Sequence, residues 1–326
     1  MKRREFIVLL GGMAIAAPRA TIAQTPKISR LGTLTVGPPM ASTQGTGAVL
    51  LAGLAKRGFT VGENLAYEAR GSAGKVGLIP TLMQELKAAN VDAVVTVSYP
   101  AAVAAKASGV ATVIASGSGD PVATGLVASL ARPGGNVTGI SDDAAALSTK
   151  RLGLLKIMSP QLRRVAMLWN KDDLGMSQRY DASAKAAKDI DVAVQPLGVR
   201  EPDDFNEAFA AMNREPPDAI LMVTDALTLL NRKRVIDYAA EHRLPAIYEQ
   251  DFITRDGGLM SYGADAQESF DRAAALAASI FKGAKPADLP FEVPTRYLFV
   301  LNLKTAKAMN LTVPNSLLAM ADEVIE

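Results

Sequence analysis

From Ile28 onward, short apolar runs alternate with amphipathic stretches, the rhythm of a parallel β-sheet covered by helices. A strand buried on both faces reads as a nearly continuous apolar run, whereas a covering helix carries one apolar stripe. The order predicts strand Ile28–Val36, a helix from about Gly45 to Arg57 ended by Gly58, strand Asn64–Glu68 and helix Ile79–Ala89. A doubly buried strand Val91–Ser98, helix Ala101–Ala107 and strand Thr112–Ala115 follow, then a loop over 116–121, a short helix and the glycine-rich run 134–141. The rhythm then restarts with helix 144–158, strand Arg164–Trp169, helix Ser177–Ile190 and strand Val192–Leu197. A capping box at Asp204-Phe-Asn-Glu207 opens the next helix, before strand Ala219–Val223, helix Leu229–Glu241 and strands Ala246–Tyr248 and Gly258–Tyr262. Helix Ala266–Phe281, strand Tyr297–Leu301 and a short helix Thr305–Met309 end the series.

Two consecutive α/β series predict an α/β protein of two Rossmann-like lobes with parallel sheets, and the chain is too long for one comfortable core. If the helix after the strand near Leu259 returns to the first lobe, the chain crosses between lobes several times and forms a hinge. The expected division is 24–141 plus about 263–288 for the N-terminal lobe and 142–262 plus about 289–326 for the C-terminal lobe.

The first residues read differently. Lys2-Arg3-Arg4-Glu5-Phe6 is charged, Phe6–Ala17 is apolar, and Pro18, Arg19 and small residues lead to Thr21-Ile22-Ala23. That order describes an export signal, and its apolar run falls short of the roughly 20 residues that cross a bilayer. The Arg-Arg-x-Phe order points to the twin-arginine route, with cleavage expected after Ala23 and a periplasmic destination. Residues 1–23 also hold four of the chain's 35 Lys and Arg and one of its 33 Asp and Glu. Without them 31 cations face 32 anions, a balance that argues against a nucleic-acid partner. The absence of cysteine excludes disulfides, thiol catalysis and a lipidated-cysteine anchor.

Catalytic patterns are missing too. Gly71-Ser-Ala-Gly74-Lys75 lacks the spacing and the Ser or Thr of a phosphate loop, Gly117-x-Gly119 lacks the third glycine of a dinucleotide site, and no nucleophile elbow surrounds Ser116 or Ser118. The single histidine, His242, ends a helix, where a cation suits the dipole. The acidic doublets at 142–143, 172–173 and 203–204 read as helix caps, and Asn136 as part of a structural turn. Neither a cofactor nor a metal is expected, and the chain is not read as an enzyme.

What remains is a set of polar residues at the carboxyl ends of the strands, where open sheets bind ligands. They include Thr35, Ser98, Tyr99, Ser116, Ser118 and Asp120 in the first series, and Asn170, Asp225, Tyr248 and Tyr262 in the second. Hydroxyls near helix N-termini suit a carboxylate, while Asp225 or Glu249 could hold an ammonium group. Ser98, Ser116 and Thr224 read equally as helix caps, Trp169 as core, and Asp225 as an N-cap or a ligand anchor.

Several longer motifs carry a resemblance. They are Met-Lys-Arg-Arg-Glu-Phe-Ile at the start, Gly119-Asp-Pro-Val122, Arg132-Pro-Gly-Gly-Asn-Val-Thr-Gly-Ile-Ser141, Leu244-Pro-Ala-Ile-Tyr248, Gly257-Gly-Leu-Met-Ser-Tyr-Gly263, Gly283-Ala-Lys-Pro-Ala-Asp-Leu-Pro290, Asn302-Leu-Lys-Thr-Ala-Lys307 and Leu318-Ala-Met-Ala-Asp-Glu-Val-Ile325. Together they resemble the ABC-transporter substrate-binding family, whose better-known members bind tryptophan and other amino acids. The resemblance implies a type I periplasmic-binding-protein fold with three crossovers and a ligand in the cleft. It places Ser98, the Ser116–Asp120 loop, Asp225 and Tyr262 along that cleft, and departs from the family at Val97-Ser98-Tyr99, where relatives carry a Gly/Thr-rich turn. The expected partners are a small-molecule ligand, an amino acid or similar small carboxylate, and an ABC permease, with the protein itself a monomer. A sensory protein serving a receptor, or an exported α/β enzyme, are the alternative readings.

Overall fold

The structure, a computed structural model, describes residues 28–141 and 143–326; residues 1–27, which hold the expected export signal, and Asp142 lie outside the described part. The first series folds as β1 (Ser29–Thr35), α1 (Gly45–Ala55), β2 (Leu65–Gly71), α2 (Ile79–Ala88), β3 (Ala93–Val97), α3 (Tyr99–Ser108), β4 (Thr112–Ser116) and β5 (Val137–Gly139). Its strands pair in parallel in the order β2-β1-β3-β4-β5. β3 is buried along almost its whole length, as its apolar Ala-Val-Val-Thr-Val run requires of a central strand.

The second series folds as α4 (Ala144–Met158), β6 (Arg164–Asn170), α5 (Leu174–Asp189), β7 (Ala193–Val199), α6 (Asp204–Arg214), β8 (Ala219–Met222), α7 (Ala226–Leu230), α8 (Arg232–Glu241), β9 (Ala246–Tyr248), α9 (Asp251–Arg255) and β10 (Met260–Ala264). After α10 (Ala266–Phe281) come β11 (Tyr297–Asn302), α11 (Leu303–Ala308), α12 (Asn315–Met320) and β12 (Glu323–Ile325). Among the described residues this sheet runs β12-β11-β10-β9-β8-β6-β7, with β11 antiparallel to β10 and the other pairs parallel.

Several local expectations give way to specific bonds. The helix expected over Leu229–Glu241 is two helices, and the first starts earlier because Asp225 and Thr228 form a reciprocal capping box. Asp204 does not cap α6; its carboxylate accepts the N–H of Arg200 at 2.7 Å. The short helix expected after the 116–121 loop is replaced by turns around Asp120, whose carboxylate accepts the N–H groups of Val122 (2.8 Å) and Ala123 (3.0 Å). His242 does end α8, its Nδ1 lying 3.0 Å from the carbonyl oxygen of Tyr238. The Asn136 amide donates to the carbonyls of Ala105 and Val110, which makes it a structural tie.

α10 returns to the first sheet. It packs along α1 and beneath β3 and β4, and Phe270, Ala273, Ala274 and Ala277 join the core formed by Leu31, Leu50 and Val95. Arg57 clamps Asp271 through two bonds of 3.0 and 2.9 Å. The chain therefore passes between the sheets three times: after β5, after β10 and before β11. The passages are tied together. Glu292 N donates to Gly139 O (2.8 Å), Ser141 N to Glu292 O (2.7 Å), and Asp265 N to Arg296 O (3.0 Å). Among the described residues no helix is long and apolar enough to cross a membrane.

The α1–α10 contact yields a test of sign. A Cβ on Gly53 would lie 2.8 Å from the Ala274 Cβ, whereas one on Gly153 in α4 would meet nothing within 4 Å. Gly53→Ala is expected to lower stability by about 1–3 kcal/mol through overpacking, and Gly153→Ala to raise it by up to ~1 kcal/mol through helix propensity. Urea unfolding of the two variants checks both.

Candidate functional site

In a doubly wound sheet the crevice opens where strand order reverses, beyond the carboxyl ends of the strands. The first sheet reverses between β1 and β3, and the second repeats the arrangement between β6 and β8. Residues from both ends line one cavity of ≈ 720 Å³, within the size range of small-ligand sites.

On the first lobe the wall is built by the turns after β1, β3 and β4. Thr35 lines it, but its hydroxyl donates to Pro38 O at 2.8 Å and so shapes the Gly37-Pro38-Pro39 turn. Ser98 is the unusual residue. Its backbone sits at φ 93°, ψ 153°, a region that glycine occupies and that costs other residues about 1–3 kcal/mol. Its N–H is held by Ser116 O (3.1 Å), and its hydroxyl neither caps α3 nor has another partner among the described residues. Gly117 permits this geometry, since a Cβ there would lie 3.0 Å from Ser98 N. Ser116 also lines the cavity.

On the second lobe Asp225 faces the cavity, so the two sequence readings of it coexist. It caps α7 through Thr228 N (2.8 Å) and receives the Thr228 hydroxyl (3.0 Å) on the same oxygen, while its other oxygen accepts Asn170 Nδ2 at 2.6 Å. The Thr228 hydroxyl proton is shared with Val223 O, also at 3.0 Å, so two N–H donors are fixed on the carboxylate and at least one of its four acceptor positions is left for a ligand. Thr224 also lines the cavity, with a buried hydroxyl that has no partner among the described residues.

The same cavity is also lined by an ion cluster that the sequence reading did not assemble: Arg151, Arg179 and Glu249. Glu249, at the end of β9, accepts Arg151 Nη1 at 2.8 Å, Arg179 Nη1 at 2.5 Å and Thr224 N at 3.1 Å. All three charged side chains are almost wholly buried, and Arg151 also donates to Tyr262 O at 2.7 Å. Glu249 is thereby committed to arginines rather than open to an ammonium group. A signal existed: Arg151 shares the buried face of α4 with Leu147, Leu152 and Leu155, and Arg179 lies between buried Met176 and Ser183 on α5. An arginine inside an apolar helical stripe needs a buried partner.

Other expected residues stand outside the cavity lining. Tyr99 packs against the cluster of Ala102, Ile114 and Val137. Ser118 is fully buried and its hydroxyl donates to Gly119 O. Asp120 is exposed and occupied by its own turn. Asn170 holds Asp225 from behind. Tyr248 is fully buried against Ala246, Ile253 and Val235, and burial pushes its hydroxyl pKa up. Tyr262 packs on the second-lobe core, with its ring 6.2 Å from that of Tyr297. An alternating strand points neighbouring side chains to opposite faces, so a residue near a strand end is as readily core as pocket. The apolar walls come from Pro38, Pro39 and Met40 on one side and Leu229, Leu230 and Phe252 on the other. Among the described residues no group of three or more His, Asp or Glu is placed to hold a metal ion.

One titrating group borders the cluster. Asp173 caps α5 through Met176 N, and burial, followed by the charge of Asp225, pushes its carboxyl up to about 6. A raised acid pKa means the folded state binds the proton more tightly, so its contribution to stability is lost as pH rises through the interval up to about 6. Asp173→Asn keeps a capping oxygen. It is expected to stabilise the fold by about 3 kcal/mol near pH 7.5, the gain shrinking as pH falls from about 6 through the ordinary value of 3.8 and gone by about pH 3, as read from thermal midpoints at pH 7.5 and 3.

A family model described as ABC transporter substrate binding protein matches residues 41–325. The tyrosine-binding protein of Clostridioides difficile (strain R20291) is 25% identical over 259 residues, which cover 79% of this chain and 74% of that protein. Among solved structures, a conserved domain protein from Vibrio cholerae O1 biovar El Tor superposes with TM-score 0.85 at 22% identity, covering 91% of this chain and 100% of the other. An ABC domain in complex with L-Trp from Streptococcus pneumoniae superposes with TM-score 0.83 at 23% identity, covering 91% and 99%.

Proposed function

This chain belongs to the ABC transporter substrate-binding protein family, and from that premise we propose that it captures an amino acid with a bulky apolar side chain and passes it to the permease of an ABC importer. Its two α/β lobes have the type I periplasmic-binding-protein fold. Family members are solute-binding proteins, so the chain binds a substrate and is not an enzyme.

The observation that carries the ligand class is the pairing of polar and apolar groups on opposed walls of one cavity. Ser98 and Ser116, beside the start of α3, line the wall that receives the ligand carboxylate. Asp225, with its remaining acceptor position, receives the ammonium group. The side chain then lies among Pro38, Met40, Leu229 and Phe252. The names of the C. difficile and S. pneumoniae relatives, a tyrosine-binding protein and an L-Trp complex, support an aromatic side chain. Binding favours the closed arrangement because only there do both walls touch the ligand.

In this reading residues 1–23 direct export, by the twin-arginine route, and are removed after Ala23, so the protein works as a periplasmic monomer without nucleic acid. Residues 24–141 with about 263–288 move as one lobe, and 142–262 with about 289–326 as the other.

Calorimetric titration with L-tyrosine, L-tryptophan and L-leucine tests the ligand class; no heat with any of them overturns it. Asp225→Asn is expected to weaken L-tyrosine binding by about 10-fold or more, the scale of a charged hydrogen bond, yet to leave binding of the amine-free 3-(4-hydroxyphenyl)propionate unchanged. Ser98→Gly is expected to raise the thermal midpoint by relieving the backbone, while weakening binding of both compounds by about 5-fold or more.

A further inference from the structure

Two glycines on opposite sides of the cleft touch backbone to backbone. Gly119 lies in the connection after β4 of the first sheet, at φ 68°. Gly175 lies in the first turn of α5, which covers the second sheet. A Cβ on Gly119 would stand 2.8 Å from Gly175 Cα and 3.2 Å from Gly175 O. A Cβ on Gly175 would stand 3.1 Å from the carbonyl carbon and oxygen of Ser118 and 3.2 Å from Gly119 N. Neither glycine lines the cavity. A second crossing contact differs in kind: a Cβ on Gly74 would meet the Leu230 Cδ1, at 2.8 Å, which is the movable tip of a side chain. Main chain cannot step aside in that way.

We propose that the Gly119–Gly175 contact is the stop that sets how far the cleft closes. The two missing side chains let the lobes come within reach of one ligand, so these positions tune affinity and release without touching it. The proposal rests on reading the cavity as the ligand site. A ligand gains affinity only from its preference for the closed state, so anything that raises the energy of that state lowers affinity by the same factor. Gly175 is the better probe, because its own backbone is not left-handed and a substitution there tests space alone. An added Cβ must displace main chain by a few tenths of an ångström, and a larger side chain must hold the lobes apart.

The test uses closure itself as a readout, and the absence of cysteine makes it clean. Val122 and Leu174 are exposed and flank the contact on the two lobes, so a Val122→Cys, Leu174→Cys pair joined by a short bis-maleimide reports closing with no ligand present. The pair is expected to crosslink in the parent chain, about 3-fold more slowly with Gly175→Ala and at least ~100-fold more slowly with Gly175→Leu. L-tyrosine and L-tryptophan affinities are expected to fall in the same order, with thermal midpoints near that of the parent and the scattering radius staying at its open value in Gly175→Leu. Equal crosslinking rates in all three backgrounds, or no crosslink in the parent, overturn the proposal. If neither amino acid binds, the ligand assignment fails while the crosslinking series still decides the stop. Should Gly175→Leu not fold, Gly175→Ala carries the comparison.

Discussion

Glu249 and the two arginines that grip it are the interaction on which the second lobe's binding face depends. Removing three charges from water costs several kcal/mol per ion, which only close, well-directed partners offset. Here the carboxylate takes two guanidinium bonds and one backbone N–H, and Arg151 reaches on to a carbonyl of β10. The ends of β8, β9 and β10 are thereby tied to α4 and α5. A pocket wall made of strand ends has few backbone bonds of its own beyond the sheet, so this tie fixes Thr224, while Asn170 and the Thr228 capping box fix Asp225 next to it. It also makes Glu249 a structural residue, in contrast to Asp225, which keeps acceptor capacity towards the cavity.

The site concentrates unfavourable local states. Ser98 holds a backbone conformation suited to glycine, and Asp173 and Asp225 are buried carboxylates near one another. Such states persist only when the surrounding structure over-determines them, and they gather where a protein must bind something. Two packed sheets, each with its own core, supply that surplus on either side of the cleft. Between the lobes, Ala226 packs on the first-lobe core and Leu230 reaches Gly74. Three tied passages and the Gly119–Gly175 contact join them as well, which suits a cleft that must open and close.

Regular elements were legible in the sequence wherever burial imposed a period. β3 and α10 match their expected spans closely, because one is apolar on both faces and the other carries a continuous apolar stripe. The errors fall at ends and short pieces. α7 starts earlier because a capping box outweighed the apolar pattern, and α9, α12 and β12 are too short to show a period. Within the site, Thr35, Ser98, Ser116 and Asp225 do line the cavity, whereas Tyr248 points into a core and Asp120 into its own turn. Strand-end position locates a residue along the sheet but not the face to which it points. Arg151 and Arg179 escape a local reading because their shared partner, Glu249, lies 98 and 70 residues away along the chain.

By itself the sequence determined the two-lobed α/β plan, since alternating apolar runs and amphipathic stretches can bury their faces in few other ways. It also determined the poverty of catalytic chemistry, with one histidine and no cysteine to work with. The tertiary structure alone decided which polar groups meet across the cleft. Glu249 lies 98 residues from Arg151 and 70 from Arg179, and Gly119 meets Gly175 across two different sheets. No local periodicity encodes such contacts. They arise from how two independently packed sheets are brought edge to edge by a chain that passes between them three times.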